Sequence, residues 1–318
     1  MTNDETGRLR LRTGPRFRVY LELIRVPNLF TAMADVAMGV LFVRPISGVV
    51  EACVLALLVA ASTLLYAAGV VLNDVFDFER DARQRPERPL PSGRVPLKTA
   101  WRLGWTLLCA GVALALLAAL LVGQYRPAVV AGLLAACIVC YDAFLKRTPL
   151  GPVAMGGCRM LNVLLGMSVA ATAWQSPHWL VAGGIGTYIV GVTWFARREA
   201  GRSSRVQLGL ATAVMMAGIA LLARLPAHAD NLVLLLQRQP ERWHLLMTLL
   251  GMLIGWRCFR AVLDPIPARV QMAVTHCILS LLILDAAACY AVRGTFWAVM
   301  ILLLLAPAMV LGRWIRST

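Results

Sequence analysis

The chain has 318 residues, of which 59% are hydrophobic and 15% charged, with 31 Lys and Arg against 16 Asp and Glu for a formal net charge of +15. So apolar a composition, gathered in long runs, excludes a water-soluble domain and indicates a polytopic membrane protein. The positive surplus comes with no basic and aromatic recognition module, so nucleic acid is not an expected partner, whereas membrane lipids and an anionic substrate are.

Residues 1–26 form a polar, arginine-rich segment, with no apolar stretch leading to a small-residue cleavage site. The first span is therefore expected to act as its own insertion signal, and 27–318 to form a single transmembrane domain. Windows of roughly twenty residues place spans at 28–43, 52–72, 103–123, 127–141, 149–173, 177–196, 206–223, 243–263, 270–291 and 294–312. Nine spans are the alternative to ten, because the first, fourth and eighth are marginal and Arg257 and Arg260 interrupt the eighth. No span shows the strand-length alternation of a barrel, so the fold class is an all-α transmembrane bundle of nine to ten helices.

Charge sorts the loops. Of the 31 basic residues, 24 fall on the side of the N-terminus, including the run from Arg80 to Arg102, the pair Lys146 and Arg147, and the group from Arg197 to Arg205. The opposite loops hold Arg44, Arg126, Arg224, Arg238, Arg242 and Arg293, and Arg159 lies inside a span. The positive-inside rule then puts both termini in the cytoplasm, with the protein expected in a bacterial inner membrane. Eight cysteines scattered through the spans read as packing residues, and the pair Cys137 and Cys140 lacks a second pair or a nearby histidine that would make a metal site.

The second span ends in Asn73-Asp74-Val75-Phe76-Asp77-Phe78-Glu79-Arg80-Asp81. Asn73, Asp77 and Asp81 recur every four residues, so on a continuous helix their oxygens share one face over two turns. That helix runs from outside to inside, and its C-terminal end already carries negative charge, which disfavours each unpaired carboxylate by about 0.3 to 1 kcal/mol. The nearby arginines balance part of this charge without explaining the shared face. A hard divalent cation explains it, and Mg2+, which takes oxygen ligands and commonly uses one or two carboxylates plus substrate phosphates, is the expected cofactor.

Asn73-Asp74-x-x-Asp77-x-x-x-Asp81, followed by Arg88-Pro89-Leu90-Pro91-Ser92-Gly93, resembles the first aspartate-rich motif and downstream loop of the UbiA superfamily of intramembrane prenyltransferases. Arg25-x-Pro27-Asn28 looks like that family's opening segment, and Tyr141-x-x-x-x-Lys146-Arg147-Thr148 like its Tyr and Lys motif after the fourth helix. Arg159 and Asn162 resemble polar positions on its fifth helix. The resemblance implies a UbiA-like bundle with a polar cavity open to the cytoplasmic side, binding a prenyl diphosphate through Mg2+ held by two acidic motifs. It further implies that Asn73, Asp77 and Asp81 hold one metal, that Asp77, Asp81 and Lys146 act in catalysis, and that Arg25, Asn28, Arg88, Lys146 and Arg147 take the diphosphate charge. Tyr141, Arg159 and Asn162 are then expected along the cavity or at the acceptor.

The second motif departs from the family. The sixth span ends in Trp194-Phe195-Ala196-Arg197-Arg198-Glu199-Ala200-Gly201-Arg202, where Glu199 is the one acid left to join a metal. Three readings stand: one metal with Arg198 and Arg202 forking onto phosphate oxygens, a divergent substrate, or loss of catalysis. The same stretch most resembles the EboC-like branch of the superfamily. Asp35 and Asp285, costly within a membrane, are expected to face the interior and pair with an arginine such as Arg159, and Asp142 to be an interfacial acid. The function implied is transfer of an isoprenoid from its diphosphate to a lipophilic or small-molecule acceptor. The alternative is a non-catalytic binding or transport protein for an isoprenoid or other amphipathic metabolite on the same scaffold.

Overall fold

The computed structural model describes residues 16–197, 203–228 and 239–314. Among them the helices are α1 (Arg16–Leu23), α2 (Val26–Val43), α3 (Val49–Phe76), α4 (Phe78–Gln84), α5 (Leu97–Val122), α6 (Arg126–Ala143), α7 (Gly151–Met167), α8 (Ser176–Ala196) and α9 (Arg205–Ala223). After them come α10 (Pro240–Leu263), α11 (Pro267–Arg293), α12 (Thr295–Leu302) and α13 (Leu305–Trp314). Proline opens α2, α6, α7, α8, α10 and α11 within their first two positions, where its missing N–H costs no hydrogen bond.

Nine helical segments among the described residues are long and apolar enough to cross a membrane, α12 and α13 counting together as one despite the break between them. α7 has 17 residues, a rise of about 25 Å, at the lower limit for a crossing. It nevertheless runs the depth of the bundle. Thr148, just before it, accepts from Arg197 at the end of α8, while Ala170 and Thr172, just after it, accept from Arg126 at the start of α6. With α7, ten helical segments among the described residues are candidates for a crossing. The eighth pass, where Arg257 and Arg260 had suggested an interruption, is one unbroken helix with both arginines in its last two turns.

Several basic residues on the sparsely charged side have structural work. Arg293 Nε donates to Leu41 O at the end of α2 at 2.5 Å, Arg126 donates to the carbonyls after α7, and Arg44 pairs with Glu51 at 3.2 Å. Arg293 thus caps the negative end of α2, Arg126 ties down the turn after α7, and Arg44 meets an acid in the first turn of α3.

Glycine governs how closely the site helices approach. A Cβ on Gly39 of α2 would lie 2.6 Å from Val163 O and 3.0 Å from Gly166 Cα of α7. Without hydrophobic drive between helices in lipid, such small-residue crossings supply the close packing. This crossing sets Asp35, one turn before Gly39, against Arg159 and Asn162, one to two turns before Gly166.

Candidate functional site: an ion-paired mouth over an apolar cavity

With 28 residues α3 rises about 42 Å, longer than the roughly 30 Å hydrocarbon core, so one end carries polar residues past the apolar region. The continuous two-turn face expected from 73 to 81 is broken. α3 stops at Phe76, Asp77 adopts φ −96° and ψ 6°, and α4 begins at Phe78. The spacing of four survives the break, because Asp77 N–H donates to Asn73 O at 3.0 Å and Asp81 N–H to Asp77 O at 2.8 Å.

Basic residues from elsewhere in the chain satisfy this negative end. Lys146, on a 3-10 turn just after α6, reaches Asp77 Oδ2 at 2.8 Å and donates to Asn73 Oδ1 at 3.0 Å. Arg147 donates to Phe76 O at 3.1 Å and to Asp77 Oδ1 at 3.2 Å. Arg88 Nη1 lies 2.6 Å from Asp81 Oδ2, and both side chains are buried. The Arg88 loop is itself packed: Leu90 and Val95 join Leu23, Val71 and Val75 in a small core beneath α1, and Arg94 pairs with Glu22 of α1 at 3.0 Å.

Asp74 has a part that the four-residue spacing does not reveal. It sits between Arg25 Nη2 at 2.9 Å and Arg88 Nη1 at 3.7 Å, joining the opening segment to the loop after α4. Arg25 is the one non-glycine residue with positive φ among those described, at φ 49° and ψ 55°, immediately before α2. Such a backbone costs an L-residue about 1 kcal/mol or more, and it is held where the side chain meets an acid. Asn28 supports this corner through its backbone, donating to Arg25 O and accepting from Thr31 Oγ1; it does not line the cavity below.

That cavity has a volume of about 450 Å3. Arg25, Asn73, Tyr141 and Asp142 stand at its mouth, residues such as Leu65, Ile138, Ile189 and Val192 form an apolar wall, and Arg159 and Asn162 mark its inner end. Asp142 corrects an expectation. Rather than a solvated interfacial acid, it is 2% exposed, and its Oδ2 has no hydrogen-bond partner among the described residues.

At the inner end Arg159 pairs with Asp35 at 2.7 Å, donates to Thr31 Oγ1 at 2.7 Å and lies 5.9 Å from the centre of the Tyr66 ring. Asn162 donates to Asp35 Oδ2 at 2.9 Å and accepts from Ser62 Oγ at 2.7 Å. The expected arginine partnership thus holds for Asp35 and not for Asp285, whose two oxygens are buried without a hydrogen-bond partner among the described residues. Cys137 lies 3.3 Å from Cys158 of α7 rather than beside Cys140, which is exposed. Arg198, Glu199 and Arg202 lie outside the described residues.

The donor chemistry at the mouth fits a hard cation. Asn73 Oδ1 and the carboxylates of Asp77 and Asp81 are all oxygen ligands, and no three His, Cys, Asp or Glu side chains converge as a complete metal cage among the described residues. One or two carboxylates completed by phosphate oxygens is how Mg2+ is commonly held, whereas zinc asks for nitrogen or sulfur.

The family model described as UbiA prenyltransferase family matches residues 33–266. The digeranylgeranylglyceryl phosphate synthase of Ignicoccus hospitalis is 35% identical over 166 residues, 52% of this chain and 51% of the relative. That of Methanocaldococcus jannaschii is 39% identical over 103 residues, 32% of this chain and 35% of the relative. The chain therefore matches about half or less of the length of these curated relatives. A solved structure of a digeranylgeranylglyceryl phosphate synthase superimposes with a TM-score of 0.64 at 21% identity, covering 88% of this chain and 99% of its own. A UbiA homologue from Archaeoglobus fulgidus bound to GPP and Mg2+ gives 0.60 at 13% identity, covering 84% and 99%. At these identities the superpositions show a shared fold. Nine helical segments among the described residues long and apolar enough to cross a membrane, the acidic end of α3 and a family match over residues 33–266 lead to one conclusion: this integral, multi-pass membrane protein belongs to the UbiA prenyltransferase family.

Proposed function

We propose that the protein is an Mg2+-dependent intramembrane prenyltransferase that moves an isoprenoid group from a prenyl diphosphate to a lipophilic or small-molecule acceptor. The mouth faces the cytoplasm, as the distribution of Lys and Arg indicates. The observation that carries this reading is the interleaving of Asn73, Asp77 and Asp81 with Lys146, Arg147 and Arg88 above one apolar cavity. Oxygen ligands for a metal and donors for phosphate belong together where a diphosphate is to depart.

Asn73, Asp77 and Asp81 would hold Mg2+, which when bound supplies Lewis-acid neutralisation of the diphosphate. Lys146, Arg147 and Arg25 donate charge-assisted hydrogen bonds to its oxygens, strongest as the leaving group gains charge. Arg88 keeps Asp81 and Asp74 in place. The wall formed by Leu65, Ile138, Ile189 and Val192 encloses the prenyl chain and keeps water from the allylic carbon. The bond from that carbon to the diphosphate oxygen breaks with its electron pair leaving on the diphosphate. The acceptor then supplies the pair for the new bond and loses a proton. Asp142 Oδ2, buried at the mouth, is available to take it.

The test is release of inorganic diphosphate by detergent-purified protein offered Mg2+ and a panel of prenyl diphosphates. Release supports the enzyme reading. Binding without release indicates the carrier role, and absence of both removes the isoprenoid assignment altogether.

A further inference from the structure

α6 borders a second cavity at the end away from the mouth. Arg126 opens the helix, Asp142 near its close stands at the mouth, and its 18 residues rise about 27 Å, close to the depth of a hydrocarbon core. The start of α6 therefore meets the membrane boundary opposite the mouth. There Tyr125, Arg126, Val129, Val130, Leu133 and Trp174 line a cavity of about 300 Å3. We propose that this cavity binds one anionic glycerophospholipid, its phosphate on Arg126 and an acyl chain along Val129 and Leu133. The site lies apart from the proposed diphosphate site and does not depend on it.

Charge is the first support. Arg126 Nη1 donates to Ala170 O at 3.2 Å and to Thr172 O at 2.6 Å. Both acceptors are neutral carbonyls, so these bonds fix the guanidinium and leave its charge uncompensated. Arg25, Arg88, Lys146, Arg147 and Arg159 each have a carboxylate within ion-pair distance, whereas Arg126 has none among the described residues. Its Nε and Nη2 are neither bonded to the protein nor buried, which leaves the geometry that forks onto phosphate oxygens.

The helical register is the second. Arg126, Val129, Val130 and Leu133 stand at i, i+3, i+4 and i+7, one stripe that runs about 10 Å from the arginine toward the middle of the bundle. Val129 is 50% exposed and Leu133 54%, so the protein leaves the outer edge of this stripe uncovered. A cation heading an apolar stripe matches a lipid, whose phosphate is joined to a hydrocarbon chain. A free phosphate would meet Arg126 and leave Val129 and Leu133 bare.

Third comes the rim. Trp174, across from α6, is held by its Nε1 donating to Met167 O at 3.0 Å and by an edge-on contact with Trp179, ring centres 5.4 Å apart. Tyr125, beside the arginine, is 77% exposed, and its hydroxyl makes no hydrogen bond among the described residues. Tryptophan and tyrosine favour the headgroup level of a membrane, where one edge of the ring is apolar and the other wet. The fixed indole thus walls the cavity, and the free hydroxyl stands where a headgroup would lie.

The experiment places the full chain in nanodiscs containing phosphatidylglycerol with a photoactivatable diazirine on one acyl chain, or the matching phosphatidylcholine. Mass spectrometry maps the crosslinked residues, which separates this site from the basic residues around the mouth. Labelling within 125–133 is expected to be about fivefold stronger from phosphatidylglycerol, the preference that one arginine near a membrane surface supplies. Arg126→Gln keeps an N–H donor for the two carbonyls but removes the charge, and should abolish the preference. Arg126→Lys keeps the charge and should retain it, with melting curves checking that both variants fold. Equal labelling by the two lipids in the parent protein, a comparison that needs no variant, would overturn the proposal. So would a preference that survives in Arg126→Gln, or one lost equally in Arg126→Lys, the mark of a structural arginine. A preference removed by excess inorganic phosphate would also overturn it, in favour of a site for a free anion.

Discussion

On the proposed reading Lys146 has two opposed roles, and Lys146→Met separates them. Its ammonium lies 2.8 Å from Asp77 Oδ2 and 3.0 Å from Asn73 Oδ1, so it occupies oxygens that a metal would use, and the side chain is 9% exposed. Opposite charges about 4 Å apart attract by roughly 4 kcal/mol at an effective dielectric near 20. Desolvation cancels most of that, leaving on the order of 1 to 2 kcal/mol of competition. Removing the ammonium should therefore tighten binding of Mg2+ alone by about tenfold. For diphosphate the sign reverses: a lost hydrogen bond from a charged donor costs about 1.5 to 3 kcal/mol, or roughly ten- to a hundredfold in affinity. Isothermal titration in detergent, first with MgCl2 and then with inorganic diphosphate at saturating Mg2+, measures both. Arg147 at 3.2 Å keeps a cation on Asp77 in the variant, and a melting curve checks that the fold persists. Weaker binding of Mg2+ by the variant, or unchanged binding of diphosphate, would refute the partner exchange.

Three further outcomes follow from the geometry. Arg88→Ala leaves Asp81 buried without its 2.6 Å partner and should cost about 3 to 5 kcal/mol, while Arg94→Ala, in an exposed pair with Glu22, should cost about 1 kcal/mol or less; thermal unfolding of the two variants side by side compares them. Gly39→Val drives a side chain into Val163 and Gly166 and should lose about 1 to 3 kcal/mol or more, whereas Gly132→Ala meets open space and should leave the melting temperature nearly unchanged. Asp142→Asn should bind prenyl diphosphate as the parent does yet slow transfer by about 10²- to 10⁴-fold in single-turnover measurements; an unchanged rate would remove its role as proton acceptor.

Hydropathy and charge made the bundle legible because each pass needs its own apolar run and each inner loop its own arginines. The pairing of Asn73 and Asp77 with Lys146 was legible only as two motifs, since nothing local to either says that a turn 73 residues on will reach back. Asp74, though part of the acidic motif, has no place in the Asn73, Asp77 and Asp81 register, because it lies one position, about 100° around the helix, from it. Asp142 sits one residue beyond a predicted span that ended at 141, and a hydropathy window does not distinguish an acid turned into a cavity from one turned to water. The left-handed backbone at Arg25 and the Gly39–Gly166 crossing depend on tertiary packing between segments far apart in the chain. The break at Asp77 is of the same kind. The sequence spacing predicts one continuous face, whereas the backbone breaks at Asp77 and keeps only the hydrogen bonds from Asp77 N to Asn73 O and from Asp81 N to Asp77 O across two helices.

The acidic end of α3 is the proposed seat of a metal and a departing diphosphate. The most direct measurement compares diphosphate release by the parent protein with Mg2+, by the parent with excess chelator, and by Asp77→Ala with Mg2+, using one prenyl diphosphate that the parent cleaves. Release by the parent that falls at least a hundredfold both on chelation and in Asp77→Ala is the predicted result. Release that survives chelation, or an Asp77→Ala variant indistinguishable from the parent, would contradict it.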